Sequence, residues 1–266
     1  MTVAALRGAL GFLTRLPLGR DEAAFEAFAG APWTFPVVGY LVGGTVSLPV
    51  AAGAVGALPA PTAALATVCV VYGATGITHL DGVADLGDAA VVHGGPDERR
   101  TVLRDSTLGV GGTGALAVVV LGLATGALAV VSAAESAGTV GVGANGGVRT
   151  AVGLMVAAEV GARAATAALV CVGDAAHEGL GSSLTERVGP TALLPVVALA
   201  APAALAAWPR FLPGAVALSV AAAVGVAVRG WARSRLGGVS GDVLGATTEL
   251  ARVAALHAGV IAWTLS

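Results

Sequence analysis

Apolar residues along this chain gather into long unbroken runs instead of alternating at a short period. Runs that cover, or nearly cover, about 30 Å of hydrocarbon lie at roughly Phe35 to Leu58, Thr62 to Thr78, Val110 to Val131, Val148 to Val172, Thr191 to Ala207, Leu212 to Val228 and Val243 to Leu265. They predict about seven transmembrane helices. The fifth and sixth are short and joined by Trp208-Pro209-Arg210, which suits a hairpin that does not cross fully. Before them, MTVAALRGALGFLTRLPLGR is interrupted by Arg7 and Arg15, leaving too short an apolar run for a signal peptide. It reads as an amphipathic helix lying in the membrane interface. The stretch AGTVGVGANGG, residues 137–147, reads as a flexible external loop. No internal boundary and no inverted repeat is visible, so residues 1–266 are expected to form a single integral membrane domain. The fold class expected is an all-α, polytopic membrane helical bundle with an N-terminal interfacial helix.

Polar positions orient this bundle. Every basic residue is arginine. With the N-terminus inside and seven crossings, Arg7, Arg15, Arg20, Arg99, Arg100, Arg104, Arg187, Arg229, Arg233 and Arg235 fall on the inner side, against Arg149 and Arg210 outside. Positive residues stay cytoplasmic, which makes this a multi-pass protein of the cell membrane and puts residues 79–105 on the cytoplasmic side. The four tryptophans, Trp33, Trp208, Trp231 and Trp263, fall at span ends, where an interfacial belt lies.

Composition sharpens the class. Hydrophobic residues make up 56% and charged residues 11% of the chain, less than half the charged share of a soluble domain. The formal net charge of -2 argues against a nucleic-acid partner, which needs a basic field. The partners left are the lipid bilayer and small molecules. Cys69 and Cys171 sit within apolar runs without metal or disulfide spacing, and read as buried packing residues.

Against this background HLDGVADLGDA, residues 79–89, is anomalous. If helix continues past His79, Asp81, Asp85 and Asp88 stand at i, i+4 and i+7 on one face. Three like charges there repel unless a cation sits among them, and oxygen-only ligands point to Mg²⁺ or Mn²⁺ with substrate phosphates. The competing reading is a solvated helix end with no metal. In RDSTLGVGGTG, residues 104–114, Asp105 is a further candidate carboxylate. Arg104 with the amides of Gly109, Gly111 and Gly112 is a candidate to hold phosphate oxygens at a helix start, the competing reading of these glycines being close helix packing. Asp242 stands at the same mouth in SGDVLGATTE, with Glu249 two turns deeper and Arg252 near enough to pair with it. Glu159 and Arg163 have the i, i+4 spacing of an ion pair, either functional or structural. His79 borders the acids and is a candidate for orienting a carboxylate or moving a proton. His93 reads as a loop residue and His257 as a packing histidine.

Taken in order, the motifs resemble those of the cobalamin synthase family, the adenosylcobinamide-GDP ribazoletransferases. They are Thr14-Arg15-Leu16-Pro17, Phe35-Pro36 with Gly39 and Gly43, His79-Leu80-Asp81-Gly82-Val83-Ala84-Asp85 with Asp88, Arg104-Asp105-Ser106 with Leu108 and Gly109, Arg163, Glu178-Gly179-Leu180-Gly181, and Gly241-Asp242 with Gly245, Ala246 and Glu249. The chain departs from the family pattern around Leu86-Gly87-Asp88-Ala89 and at Val243 and keeps the acids. The resemblance implies a Mg²⁺-dependent transferase that joins α-ribazole, or its 5′-phosphate, to adenosylcobinamide-GDP with release of GMP. It implies Asp81, Asp85, Asp88 and Asp105 as metal ligands, and Asp81, Asp85, His79 and Arg104 as catalytic residues. Substrate would meet Arg163, Ser106, Gly109, Glu178, Gly179, Gly181, Asp242 and Glu249. A homo-oligomer, or a complex with other corrinoid-assembly enzymes, is left open. The competing functions are a Mg²⁺-dependent phosphotransferase of the CDP-alcohol type and a cation transporter. The first wants an Asp-Gly-x-x-Ala-Arg run where this chain has Asp81-Gly82-Val83-Ala84-Asp85, and the second wants acids near mid-membrane between repeats.

Overall fold

The structure is a computed structural model that describes residues 2–18, 21–103, 105, 107–139 and 144–266. Arg104 and Ser106, two of the expected site residues, lie outside the described residues, as does Arg20. Twelve α-helices account for nearly all of the described chain, and no strand is formed among the described residues. They are α1 (Thr2–Leu13), α2 (Glu22–Ala29), α3 (Thr34–Ala54), α4 (Ala60–Thr75), α5 (Thr78–Val91), α6 (Pro96–Val102), α7 (Val110–Thr139), α8 (Ala144–Val172), α9 (Leu180–Thr185), α10 (Leu193–Ala200), α11 (Phe211–Arg235) and α12 (Gly241–Thr264). The protein is an all-α, multi-pass membrane helical bundle.

Four helices, α3, α7, α8 and α11, are long and apolar enough to cross a membrane, and α4 joins them when taken with α5 as one bent span. The other expected spans are present with a different character. α12 is 24 residues long but carries Glu249 and Arg252, and it is enclosed by α5, α7, α8 and α11. The fifth expected span is broken: Pro195 and Pro202 leave α10 between two short 3₁₀ turns, Pro190–Ala192 and Ala201–Leu205. The sixth is a full helix of 25 residues, because α11 continues through Arg229 to Arg235. The expected loop at 137–147 is shortened from both sides, since α7 runs to Thr139 and α8 begins at Ala144. Residues 140–143 lie outside the described residues. Cys171 is buried as expected, whereas Cys69 is exposed on α4.

Close packing depends on missing side chains. α3 runs antiparallel to α8, and a Cβ on Gly39 or Gly43 would come 2.8 Å from the Cα of Val160 or Val156. These two glycines, one turn apart, let the backbones approach as small residues do in membrane bundles. At the start of the chain, Arg7 reaches Asp21 at 2.5 Å and the Leu18 carbonyl at 2.9 Å, tying α1 to α2. Phe12, Phe25, Phe28 and Phe35 stack across α1, α2 and α3 with ring centroids 5.3 to 6.2 Å apart.

α4 and α5 meet at a bend of 100°. The break is at Gly76, whose φ of 80° is open to glycine and where the Arg15 side chain occupies the place a Cβ would take. α5 therefore lies across the end of the bundle. A Cβ on Gly82 would meet the Asp242 Cα at 2.8 Å, and one on Gly87 the Gly111 carbonyl at 2.7 Å, so α5 rests on the first turns of both α12 and α7. Its far end is tied by the buried Arg99, which donates to the carbonyls of Ala89, Ala90, Val92 and Gly94. A cation there also suits the negative end of a helix.

Two consequences can be measured in detergent-solubilised protein. Gly43→Leu forces α3 off α8 and is expected to lower the thermal midpoint by several degrees, corresponding to an overpacking cost of about 1–3 kcal/mol. Arg99→Ala leaves four carbonyls without their donor and is expected to cost about 2–4 kcal/mol, with amide exchange rising first in α5.

Candidate active site

α5 presents the three aspartates as the spacing predicts, although it is a separate helix and not a continuation of the second span. Asp81 is exposed, and Asp85 and Asp88 are half-buried. A fourth carboxylate acts on them: Asp242, in the first turn of α12, whose backbone meets Gly82, bears on Asp85 more strongly than Asp81 or Asp88 does. The carboxylates of Asp242, Asp81 and Asp88 all bear on Asp85, in that order. The crowding is therefore real and spans two helices. Among the described residues, no three His, Cys, Asp or Glu side chains stand close enough to hold a metal ion by themselves. Mg²⁺ usually takes only one or two protein carboxylates, with waters and substrate phosphates completing its shell. Asp85 paired with Asp81 or Asp242 fits that donor chemistry.

Asp88 has other work. Its Oδ2 accepts from the Gly109 amide and its Oδ1 from the Gly112 amide, both at 2.8 Å. The carboxylate thus caps the first turn of α7 and meets the positive end of its dipole. Gly111 packs beneath Gly87. Two of the three amides expected to receive substrate phosphate, those of Gly109 and Gly112, bond Asp88 instead. Asp105 stands apart from the cluster, exposed, accepting from the Thr107 amide at 3.0 Å within its own turn.

Beneath the carboxylates lies a second set of charges, fully buried between α8 and α12. Arg252 grips Glu159 with two nitrogens, Nε to Oε1 at 2.5 Å and Nη2 to Oε2 at 3.3 Å. It also reaches Glu249 through Nη1 at 2.6 Å, the pairing expected from their spacing. The expected Glu159 and Arg163 pair is loose, at 3.9 Å, because Arg252 from the neighbouring helix takes the carboxylate. Glu249 Oε2 accepts from the Tyr72 hydroxyl at 3.4 Å, and its Oε1 faces His79 Nδ1 at 3.6 Å. Thr166 and Thr248 join the two helices through a 2.7 Å hydroxyl contact.

A cavity of about 440 Å³ connects the two layers. Phe35, Leu180 and Leu244 give it apolar walls, while Arg163, His79 and Asp242 turn polar groups toward it. Arg15 and His177 also border it. These two are site residues that sequence reasoning missed in that role. Arg15 was treated as part of an interfacial helix, and its position over Gly76 depends on a bend that no local pattern announces. The segment after α8 folds over the same mouth. Gly181 abuts the Ser240 backbone, Leu180 packs on Gly241, and Ala175 pairs with Val239 in a lone bridge. Glu178 is exposed. His257 bonds the Gly122 carbonyl at 2.8 Å and serves helix packing.

The structure thus places His79, Asp242 and Arg163 on one cavity, with the Asp85 and Asp81 carboxylates near Asp242 and Glu249 behind His79. It assigns Asp88 and Gly109 to a helix cap and leaves Asp105 and Glu178 at the surface.

Comparison with known proteins extends this picture to the whole chain. The Cobalamin-5-phosphate synthase family model matches residues 5–260. A protein of Halorubrum lacusprofundi named adenosylcobinamide-GDP ribazoletransferase is 67% identical over 99% of both chains. One of Haloquadratum walsbyi with the same name is 43% identical over the full length of both. One of Halobacterium salinarum, also so named, is 49% identical over 79% of this chain and 98% of its own. No solved structure matches the fold. A match that runs from the interfacial helix to the last turn of the bundle takes in every element around the cavity, and the chain belongs to the Cobalamin-5-phosphate synthase family.

Proposed function

We propose that this protein is an adenosylcobinamide-GDP ribazoletransferase, working with Mg²⁺ at the end of the bundle that carries α5. The observation that carries the reading is the meeting of Asp81 and Asp85 with Asp242 across the Gly82 contact, above a cavity floored by buried Arg163. Like charges held together at a cavity mouth are what a divalent ion and a diphosphate require. The full-length relatives bearing that name support the same substrates.

In the reaction, a ribazole hydroxyl attacks the phosphorus attached to the cobinamide side. The new phosphorus–oxygen bond forms as the bond to the bridging oxygen breaks, and GMP leaves with that oxygen. Asp85 with Asp81 or Asp242 would hold Mg²⁺, which when bound supplies charge neutralisation on the diphosphate. His79 borders the cavity, and its Nδ1 faces the Glu249 carboxylate. That arrangement directs Nε2 toward substrate as acceptor of the hydroxyl proton. Glu249 is kept in place by Arg252 and Tyr72. Leu180 and Leu184, from α9, close one side of the cavity and exclude water.

The site faces the cytoplasm in this reading. Arg15, Arg99, Arg100, Arg229, Arg233 and Arg235 all belong to the α5 end, with Arg100 bonding the Leu236 carbonyl and Arg229 the Val172 carbonyl. Arg210 opens α11 at the other end. That asymmetry matches retention of positive residues on the cytoplasmic side.

The test uses isolated membranes supplied with Mg²⁺, adenosylcobinamide-GDP and α-ribazole, with GMP release as the readout. Wild-type protein is expected to release GMP, chelation of Mg²⁺ to stop it, and Asp85→Asn or Asp242→Asn to slow it about 100-fold or more at equal abundance. Asp97→Asn, at an exposed residue paired with Arg100, is expected to stay within about twofold of wild type. Wild-type membranes that release no GMP would overturn the assignment. An unchanged rate in both carboxylate variants would overturn the metal-binding role.

A further inference from the structure

The buried charges at the cavity floor are unequally satisfied. Glu159 stands one helical turn from Arg163, the spacing at which the two would normally pair. Yet both Glu159 oxygens are taken by the Nε and Nη2 edge of Arg252, reaching across from α12. Arg163 is left with a 3.9 Å approach through Nη1. Its Nε and Nη2 have no hydrogen-bond acceptor among the described residues, although the side chain is 1% exposed. Those two nitrogens form the fork edge of the guanidinium, the edge that binds two oxygens of a carboxylate or phosphate side by side. The side chain borders the 440 Å³ cavity beneath the carboxylates.

A guanidinium edge buried without acceptors is costly, and the fold does not supply them. Arg163 is part of the cavity lining, so the cavity is where an acceptor for it would have to bind. We propose that Arg163 is a metal-independent phosphoryl-binding subsite, and that Arg252 keeps it available by occupying Glu159. Arg252 is then a positioning residue: it touches no substrate and acts by removing the competitor for the Arg163 edge. The proposal rests on the transferase reading for the source of the phosphoryl group. That source is the diphosphate of the nucleotide-linked donor or a 5′-phosphate on the nucleoside acceptor.

The subsite is tested first without turnover. Full-length protein in detergent micelles with EDTA is titrated calorimetrically with inorganic pyrophosphate and inorganic phosphate. Wild type is expected to bind, and Arg163→Gln to bind about tenfold or more weakly. Arg252→Gln is expected to weaken binding similarly with Arg163 intact, because Glu159 then turns to its helical neighbour. Glu159→Gln/Arg252→Gln removes the competitor and is expected to restore affinity to within about threefold of wild type. That recovery separates repositioning from misfolding. Wild type that binds neither anion, Arg163→Gln that binds as wild type does, or a double variant that stays as weak as Arg252→Gln would each overturn the proposal.

Steady-state kinetics of Arg163→Gln then identify the source. A KM raised for adenosylcobinamide-GDP assigns the donor diphosphate, a KM raised for α-ribazole 5′-phosphate but not for α-ribazole assigns the acceptor phosphate, and no change in any KM overturns the subsite. Anion binding that persists in a protein without transferase activity would sink the functional reading and leave the subsite standing.

Discussion

The ion pair between Glu159 and Arg252 is the constraint around which the rest of the bundle is arranged. Each belongs to a helix that brings an acid and a base into an apolar interior, and on α8 the acid and base stand 3.9 Å apart, too far to pair well. Arg252 satisfies Glu159 across the interface and Glu249 along its own helix, so α8 and α12 must lie side by side in one register. Helices carrying such charges are unfavourable against lipid, which explains why α12 is enclosed by α5, α7, α8 and α11 instead of facing the membrane. Its enclosure in turn delivers Asp242 to the bundle end and Glu249 to the underside of His79.

The carboxylate layer has a different origin. α5 is placed by contacts that only glycine allows, Gly82 on the start of α12 and Gly87 on the start of α7. It is then held by charge-assisted hydrogen bonds at two points, Asp88 to the α7 amides and Arg99 to the carbonyls at its own end. One aspartate of the three fastens the helix. The other two are left near Asp242, whose charge bears on Asp85. Residues that the sequence presents as equivalent are thus divided between a helix cap and a crowded pair, because only one of them meets a helix start.

Much of the site was legible because charges in an apolar chain are conspicuous. Asp81, Asp85, Asp242, Arg163, Glu249 and His79 stand out against their neighbours, and arginine placement assigns the aspartates and Asp242 to one end. Asp88, Asp105 and the Gly109 amide were indistinguishable from these by spacing. Their separation depends on whether α7 begins facing α5, a matter of packing between segments 20 residues apart. Arg15 and His177 were hidden for a related reason, since each reaches the cavity only when α5 turns away at Gly76 and α9 folds back over α12.

Hydropathy, arginine asymmetry and the period of the acids determined, without coordinates, that the chain forms a helical membrane bundle with an acidic cluster at one end. Those properties are local sums over consecutive residues, and any fold of this chain would have to respect them. The tertiary structure alone decided which acid pairs with which base. At i, i+4 Glu159 favours Arg163, but a bidentate partner from another helix satisfies the carboxylate better in a low-dielectric interior, and that choice leaves a guanidinium edge without an acceptor in a buried side chain that lines the cavity.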